Sequence, residues 1–277
     1  MTRAPRPSPG AGEIHDEHGD MFTALLDGSL HFGLWDDATT RTMREAADNM
    51  TDLMIEKLAV EPGQSVLDIG CGIGEPAVRL ARARNVDVVG VNVSRQQLAA
   101  ATERAAAEGL QDRVRFEFAD ALDLPFPPES FDAAWLFESL LHMPDRLRAL
   151  SQAARVLRPG GRLAVADFIR RGPDLDEQTA VEERLAGFHI SEMPTLEDYA
   201  ETVAEAGLVM VEAIDVSDRS WRQTLAAVQD NVARLPHTFA DPPGEEDYWA
   251  NARAALPRIA DGSALGYAVF VAAKPRG

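Results

Sequence analysis

At 277 residues and 45% apolar composition, the chain has the length of one large α/β domain with a sizeable core, and its net charge of −18 excludes a general nucleic-acid binder. Its arginines are scattered among acids instead of clustering into a basic patch. No uninterrupted apolar run approaches the ~20 residues of a membrane helix, and one cysteine, Cys71, cannot form an internal disulfide, so a soluble, cytoplasmic protein is expected.

Residues 1–12, rich in Pro, Arg and Ala and lacking the apolar stretch of a secretory signal, read as a disordered tail. Over residues 13–60, Phe22, Leu25, Leu26 and Leu30, then Met43, Ala47, Met50, Leu53, Met54 and Leu58, recur at helical spacing and predict a helical lid. From Ser65 onward, β-branched runs at 65–70, 86–93, 114–119, 131–137 and 161–168 alternate with helical stretches at 75–84, 95–108 and 146–157, the pattern of βαβ units. Arg158-Pro159-Gly160-Gly161 reads as a turn that stops a helix and launches the next strand. Residues 170–194 interrupt the rhythm, as an inserted cap would. Thr195-Leu196-Glu197-Asp198 then starts a helix that Gly207 ends, and 208–216 and 264–273 close the sheet. Residues 61–277 therefore predict a doubly wound, mostly parallel α/β domain of seven strands.

The chemistry-bearing motif is Val66-Leu67-Asp68-Ile69-Gly70-Cys71-Gly72-Ile73-Gly74, directly before a helix. Alternate glycines after a strand let backbone pass close to a ligand where a Cβ would collide. The spacing matches neither the dinucleotide fingerprint nor the phosphate loop. No His/Cys/carboxylate cluster has metal-ligand spacing, His15 and His18 fall in the N-terminal region, and no Gly-x-Ser-x-Gly elbow is present.

This segment closely resembles the first motif of the class I S-adenosylmethionine-dependent methyltransferases. The resemblance implies a Rossmann-like fold, S-adenosylmethionine as cofactor, and a crevice at the carboxyl ends of the first strands. It places Asp68, Gly70 and Gly72 at the sulfonium and ammonium end. Asn92 stands where relatives carry an acid for the ribose, a departure that removes a charge-assisted bond. Gln97, in Ser94-x-x-Gln97, has two readings, a cofactor contact and one half of a helix capping box. Asp120 and Ala121 match the adenine position, Glu138 would face the methionine portion, and Trp35 belongs to His31-Phe32-Gly33-Leu34-Trp35-Asp36, which resembles the family's lid motif and reads equally as a hydrophobic anchor.

Over residues ~30–169 the likeness narrows to actinobacterial natural-product methyltransferases, whose sugar O-methyltransferases carry a His-His pair and an Asp. Here the first His is Leu141, while His142 and Asp167 remain. His142 is the candidate base and Asp167 the group that would orient it. The resemblance implies O-methylation of a sugar hydroxyl on a glycosylated, antibiotic-type small molecule, by a monomer or homodimer with no nucleic-acid or membrane partner. The missing His leaves open an N- or C-methyltransferase, or a cyclase on the same fold. His189, His237, Trp221, Tyr248 and Trp249 could line an aromatic acceptor pocket.

Overall fold

The computed structural model describes residues 19, 23–36, 39–171, 193–234 and 264–276, apart from the Val232 side chain. The strands are β1 (Ser65–Ile69), β2 (Asp87–Asn92), β3 (Val114–Phe118), β4 (Phe131–Phe137), β5 (Leu157–Arg170), β6 (Val209–Asp215) and β7 (Leu265–Ala273). They form one sheet in the order β3-β2-β1-β4-β5-β7-β6. The first five pair in parallel, and β7 runs antiparallel between β5 and β6. The order reverses beside β1, so the crevice between β1 and β4 is where an α/β sheet of this kind takes its ligand.

The helices are α1 (Met43–Leu58), α2 (Glu75–Arg84), α3 (Arg95–Ala107), α4 (Arg146–Val156), α5 (Leu196–Glu205) and α6 (Ser217–Arg234). One apolar cluster joins α1, α2 and α6 to one face of the sheet, and a second joins α4 and α5 to the other. This double cover is why β1, β4 and β7 read as near-continuous apolar runs and not as alternating ones. The N-cap expected at Thr195 is present, and a second box stands at Thr42. Thr195 and Asp198 form a reciprocal capping box at α5, and Thr42 and Glu45 form another at α1.

The N-terminal region is not continuously helical. Asp27 (φ 52°) and Gly28 (φ 88°) turn the chain out of its first helical residues, the Gly28 amide closing on Thr23 O at 2.7 Å. Residues 32–36 then run without regular structure before α1. Met50, Met54 and Leu58 of α1 are fully buried, at about 1.5–3 kcal/mol each for side chains of this size. This helix is thus a layer of the core, while the stretch before it comes up to the glycine loop, where Leu30 Cδ1 lies 3.1 Å from the place of a Cβ on Gly72.

A second difference concerns Arg158-Pro159-Gly160-Gly161. Phe131 pairs with Leu157 and Ala133 with Arg162, so these four residues are an irregularity within β5 and do not precede it. Gly160 takes φ 82° and donates to Lys274 O at 2.9 Å, while Gly161 O accepts the Lys274 amide, so the excursion keeps its backbone bonds through the chain beyond β7. The predicted tail, Phe22, the core of the predicted cap (172–192), and His15, His18, His189, His237, Tyr248 and Trp249 lie outside the described residues. Among the described residues no helix is long and apolar enough to cross a membrane.

Candidate functional site

The glycine loop leaves β1 with Gly70, Gly72 and Gly74 at φ 82°, 52° and 75°. The three serve different purposes. A Cβ on Gly70 would lie 2.3 Å from Ser139 Cβ, and one on Gly74 would lie 2.5 Å from Phe116 Cζ. Packing within the protein accounts for both. At Gly72 the nearest atom is Leu30 Cδ1 at 3.1 Å, on the overlying N-terminal stretch, so this is the glycine that opens toward the crevice. The loop is pinned by the Gly70 and Cys71 amides on Val91 O and by Ser139 Oγ, which donates to Ile69 O at 2.6 Å. Burial raises the Cys71 thiol well above its ordinary range, so it stays protonated and unreactive.

Asp68 lies under this loop, opposite Trp135 in the sheet register. It is 2% exposed, its Oδ2 has no hydrogen-bond partner among the described residues, and burial drives its carboxyl up to about 7. An orphaned buried carboxylate oxygen beside a glycine cradle fits a cationic ligand, because a positive charge would supply the stabilisation that desolvation removes. Asn92 uses its side chain on its own turn. Its Oδ1 accepts the Val93 and Ser94 amides at 2.7 and 3.3 Å, and its Nδ2 donates to Gln97 Oε1 at 2.7 Å. Ser94 Oγ accepts the Gln97 amide, but the Gln97 side chain turns to Asn92. The capping box is therefore only half made, and among the described residues the buried Gln97 Nε2 is left without a partner.

Asp120 is exposed, and its Oδ1 accepts the Leu122 amide at 2.9 Å, with Ala121 packed at the edge of the second core cluster. Arg148 and Arg155 of α4 hold the following loop through the carbonyls of Leu122, Leu124 and Phe126. Trp35 is tied to α6: its indole donates to Thr224 Oγ1 at 3.0 Å and its amide to Arg219 O at 2.7 Å. His31 is buried, with Nδ1 3.0 Å from Phe32 O, Nε2 3.2 Å from Thr51 Oγ1, and its ring stacked on Phe137 at 4.0 Å. Burial lowers its pKa and keeps the ring neutral. Trp221 is buried on α6 against Phe32 and Phe168.

Beyond β4 the chain makes a 3₁₀ turn, Leu140–His142, with Leu141 buried and His142 partly exposed. Asp167, 1% exposed near the end of β5, accepts the Leu141 amide on Oδ2 at 2.9 Å and the Phe168 amide on Oδ1 at 2.8 Å. Its carboxyl reaches the backbone of the turn that carries His142, and burial drives it up to about 7. Glu138 takes φ 46°, and its Oε1 accepts both the Phe32 amide and the Tyr267 hydroxyl, the latter at 2.6 Å. Burial pushes its carboxyl up to about 8.

The sequence carries no sign of Tyr267 or Thr224: Tyr267 lies in an apolar strand with nothing to distinguish it from core, and Thr224 lies on an ordinary amphipathic helix. Glu75, buried and paired to Arg44 at 2.6 Å, did carry a signal, an acid placed directly after the glycine loop.

Comparison with known proteins bears on what this crevice does. A family model described as a methyltransferase domain matches residues 66–161. The chain is 40% identical over 266 residues to the methyltransferase GfsG of Streptomyces halstedii, covering 95% of this chain and 94% of that one. It is 44% identical over 214 residues to the 27-O-demethylrifamycin SV methyltransferase of Amycolatopsis mediterranei, covering 76% and 78%. Among solved structures it superposes on the [4+2]-cyclase SpnF with a TM-score of 0.85 at 32% identity, over 99% of this chain and 100% of that one.

Proposed function

Because the chain belongs to the class I S-adenosylmethionine-dependent methyltransferases of natural-product pathways, we propose that it methylates a hydroxyl oxygen of a secondary metabolite, in the finer case a sugar hydroxyl of a glycosylated product. The observation that carries this reading is the grip of Asp167 on the turn that ends in His142. An alcohol attacks poorly until its proton departs, so a base at the acceptor side is what oxygen chemistry requires.

When bound, S-adenosylmethionine supplies an electrophilic methyl on a sulfonium. The residues here would do the rest. Asp68, Gly70, Gly72 and Glu138 would hold the charged end, Asn92 and Gln97 the ribose, and Asp120 and Ala121 the adenine, with Trp35 in the stretch that covers them. Asp68 Oδ2 and Gln97 Nε2, both buried without partners among the described residues, suit a ligand that is cationic at one end and rich in acceptors at the other. His142 would take the hydroxyl proton as the oxygen attacks, and Asp167 would fix its turn and favour the imidazolium that forms. The printed name of the Amycolatopsis relative, a 27-O-demethylrifamycin SV methyltransferase, supports a small-molecule hydroxyl as acceptor.

The likeness to SpnF, together with Leu141 in place of a His, supports one second reading, a cyclase that binds the cofactor and transfers no methyl. Incubation with S-adenosylmethionine and a panel of hydroxylated polyketides, with and without sugars, decides. Release of S-adenosylhomocysteine with the new methyl on oxygen is expected. A substrate consumed without S-adenosylhomocysteine overturns this reading in favour of the cyclase, and a methyl found on nitrogen or carbon overturns the oxygen assignment.

A further inference from the structure

Glu138 joins three parts of the molecule that are far apart in sequence. It leaves β4 in a left-handed conformation that a non-glycine residue adopts at a cost, which aims its side chain away from the strand line. Its Oε1 accepts two donors at once, the Phe32 amide from the stretch over the crevice and the Tyr267 hydroxyl from β7. That stretch is otherwise docked through rings. Phe32 lies parallel to Tyr267 at 6.0 Å and edge-on to Phe168 at 4.8 Å, and the adjacent His31 stacks on Phe137. Among the described residues its other polar anchors on the core include the Gly33 amide and Trp35 indole on Thr224, the Leu34 and Trp35 amides on helix carbonyls, Asn49 Nδ2 on Leu34 O, and His31 Nε2 at Thr51 Oγ1. Two other titratable side chains bear on the stretch, His31, which burial keeps neutral, and Glu75, 4.0 Å from its Nε2; of the three, Glu138 is the carboxyl that accepts a backbone amide of the stretch.

We propose that Glu138 is a latch that ties closure of the 31–35 stretch to the positive charge of the bound cofactor, with Tyr267 as the positioning residue that holds its carboxyl in place. The inference rests on the reading that Glu138 faces the cationic end of the cofactor. With both donors on Oε1, a proton on this carboxyl belongs on Oε2, the oxygen free to meet a ligand. Burial beside Asp167 favours the protonated form while no cation is near. Arrival of an ammonium at Oε2 selects the carboxylate, the proton leaves to solvent, and both Oε1 bonds become charge-assisted. The stretch then holds more tightly over the loaded crevice. By reciprocity, a closed stretch raises affinity for the cofactor.

Hydrogen exchange at the Phe32 amide reads the latch directly, since that N–H is one of its two donors. The full chain, Glu138→Gln and Tyr267→Phe are compared with and without S-adenosylhomocysteine, which keeps the ammonium, and calorimetry on the same samples reports binding. In the parent, S-adenosylhomocysteine slows exchange by about tenfold, within the usual span of coupling between sites. Glu138→Gln, nearly isosteric but unable to charge, loses that ligand-dependent slowing and binds more weakly. Tyr267→Phe keeps the ring contacts, exchanges faster when unliganded, and raises KM for the cofactor more than it lowers kcat. A parent that binds S-adenosylhomocysteine without slower Phe32 exchange overturns the latch and leaves the cofactor site standing. Wild-type affinity in Glu138→Gln overturns the placement of Glu138 at the cofactor, and the latch with it. Parent-like exchange and KM in Tyr267→Phe remove Tyr267 from its positioning role.

Discussion

Asp167 Oδ2 accepts the backbone amide of Leu141 at 2.9 Å, so a carboxylate near the end of one strand sets the turn that presents His142 beyond another. His142→Ala is expected to lower kcat by about 10²–10⁴-fold, the range for loss of a general base, with cofactor affinity unchanged. Asp167→Ala should match that loss and also melt lower, because two buried amides lose their acceptor at about 1–3 kcal/mol each. S-adenosylhomocysteine release, calorimetry and thermal melting check the three quantities. Normal turnover in a lower-melting Asp167→Ala would make the residue a brace for the turn and nothing more.

Three acids, Asp68 and Asp167 buried and Glu138 partly so, give the stability a defined pH dependence. Asp68 and Asp167 are raised to about 7 and Glu138 to about 8, all through desolvation. The unfolded chain loses these protons near pH 4, at the ordinary carboxyl values, while the folded chain keeps them until about pH 7–8. Across that window the folded state binds more protons, so this contribution to stability is full below pH ~4 and falls as pH rises. The melting temperature of the ligand-free protein should decline between about pH 5.5 and 8, and Asp68→Asn should flatten the decline. Cofactor affinity should move the opposite way, rising over the same window as cations select the carboxylates. A melting temperature that climbs with pH in the parent and in Asp68→Asn alike would contradict the assignment.

Two glycines of one loop should fail differently. Gly74→Ala places a Cβ 2.5 Å from Phe116 Cζ and 2.8 Å from Ala101 Cβ at φ 75°, so loss of folded protein, or a melting point many degrees lower, is expected. Gly72→Ala meets only Leu30 Cδ1 at 3.1 Å, and the backbone penalty of about 1 kcal/mol leaves the fold intact. Its defect should be in the cofactor Kd, read by calorimetry on protein that melts near the parent.

The strands and helices from Ser65 to Leu157 were legible because buried parallel strands and amphipathic helices write different periods into the sequence. Arg158-Pro159-Gly160-Gly161 was not. Turn residues look alike whether they separate two elements or bulge from one, and only the pairing of Phe131 with Leu157 distinguishes the cases. Asp68, His142 and Asp167 could be named from the glycine motif and the resemblance built on it. Tyr267 could not, since its use depends on β7 running between β5 and β6, which places its hydroxyl at Glu138 across 129 residues of sequence. The division of labour among the loop glycines was equally hidden, because it depends on where Phe116 and Ser139 arrive.

By the resemblance Asn92 stands at the ribose, where an acid would make charge-assisted bonds, and its environment predicts what introducing that acid would do. Its Nδ2 now donates to Gln97 Oε1, which leaves Gln97 Nε2 buried without a partner. In Asn92→Asp the donor becomes an acceptor, and Gln97 can answer by rotating its amide so that Nε2 donates, filling the unmet bond. The Val93 and Ser94 amides still find an acceptor in the other carboxylate oxygen. The substitution therefore keeps the turn, exchanges an unmet buried donor on Gln97 for an acceptor able to take a hydroxyl's hydrogen bond, and adds a charge that strengthens bonds from hydroxyl groups. Asn92→Asp is expected to melt no lower than the parent and to bind S-adenosylhomocysteine several-fold more tightly, about what 1 kcal/mol provides. Gln97→Ala in the same background should melt lower, because the new carboxylate then loses its side-chain donor. Weaker binding in Asn92→Asp, measured by calorimetry, would place the ribose away from residue 92.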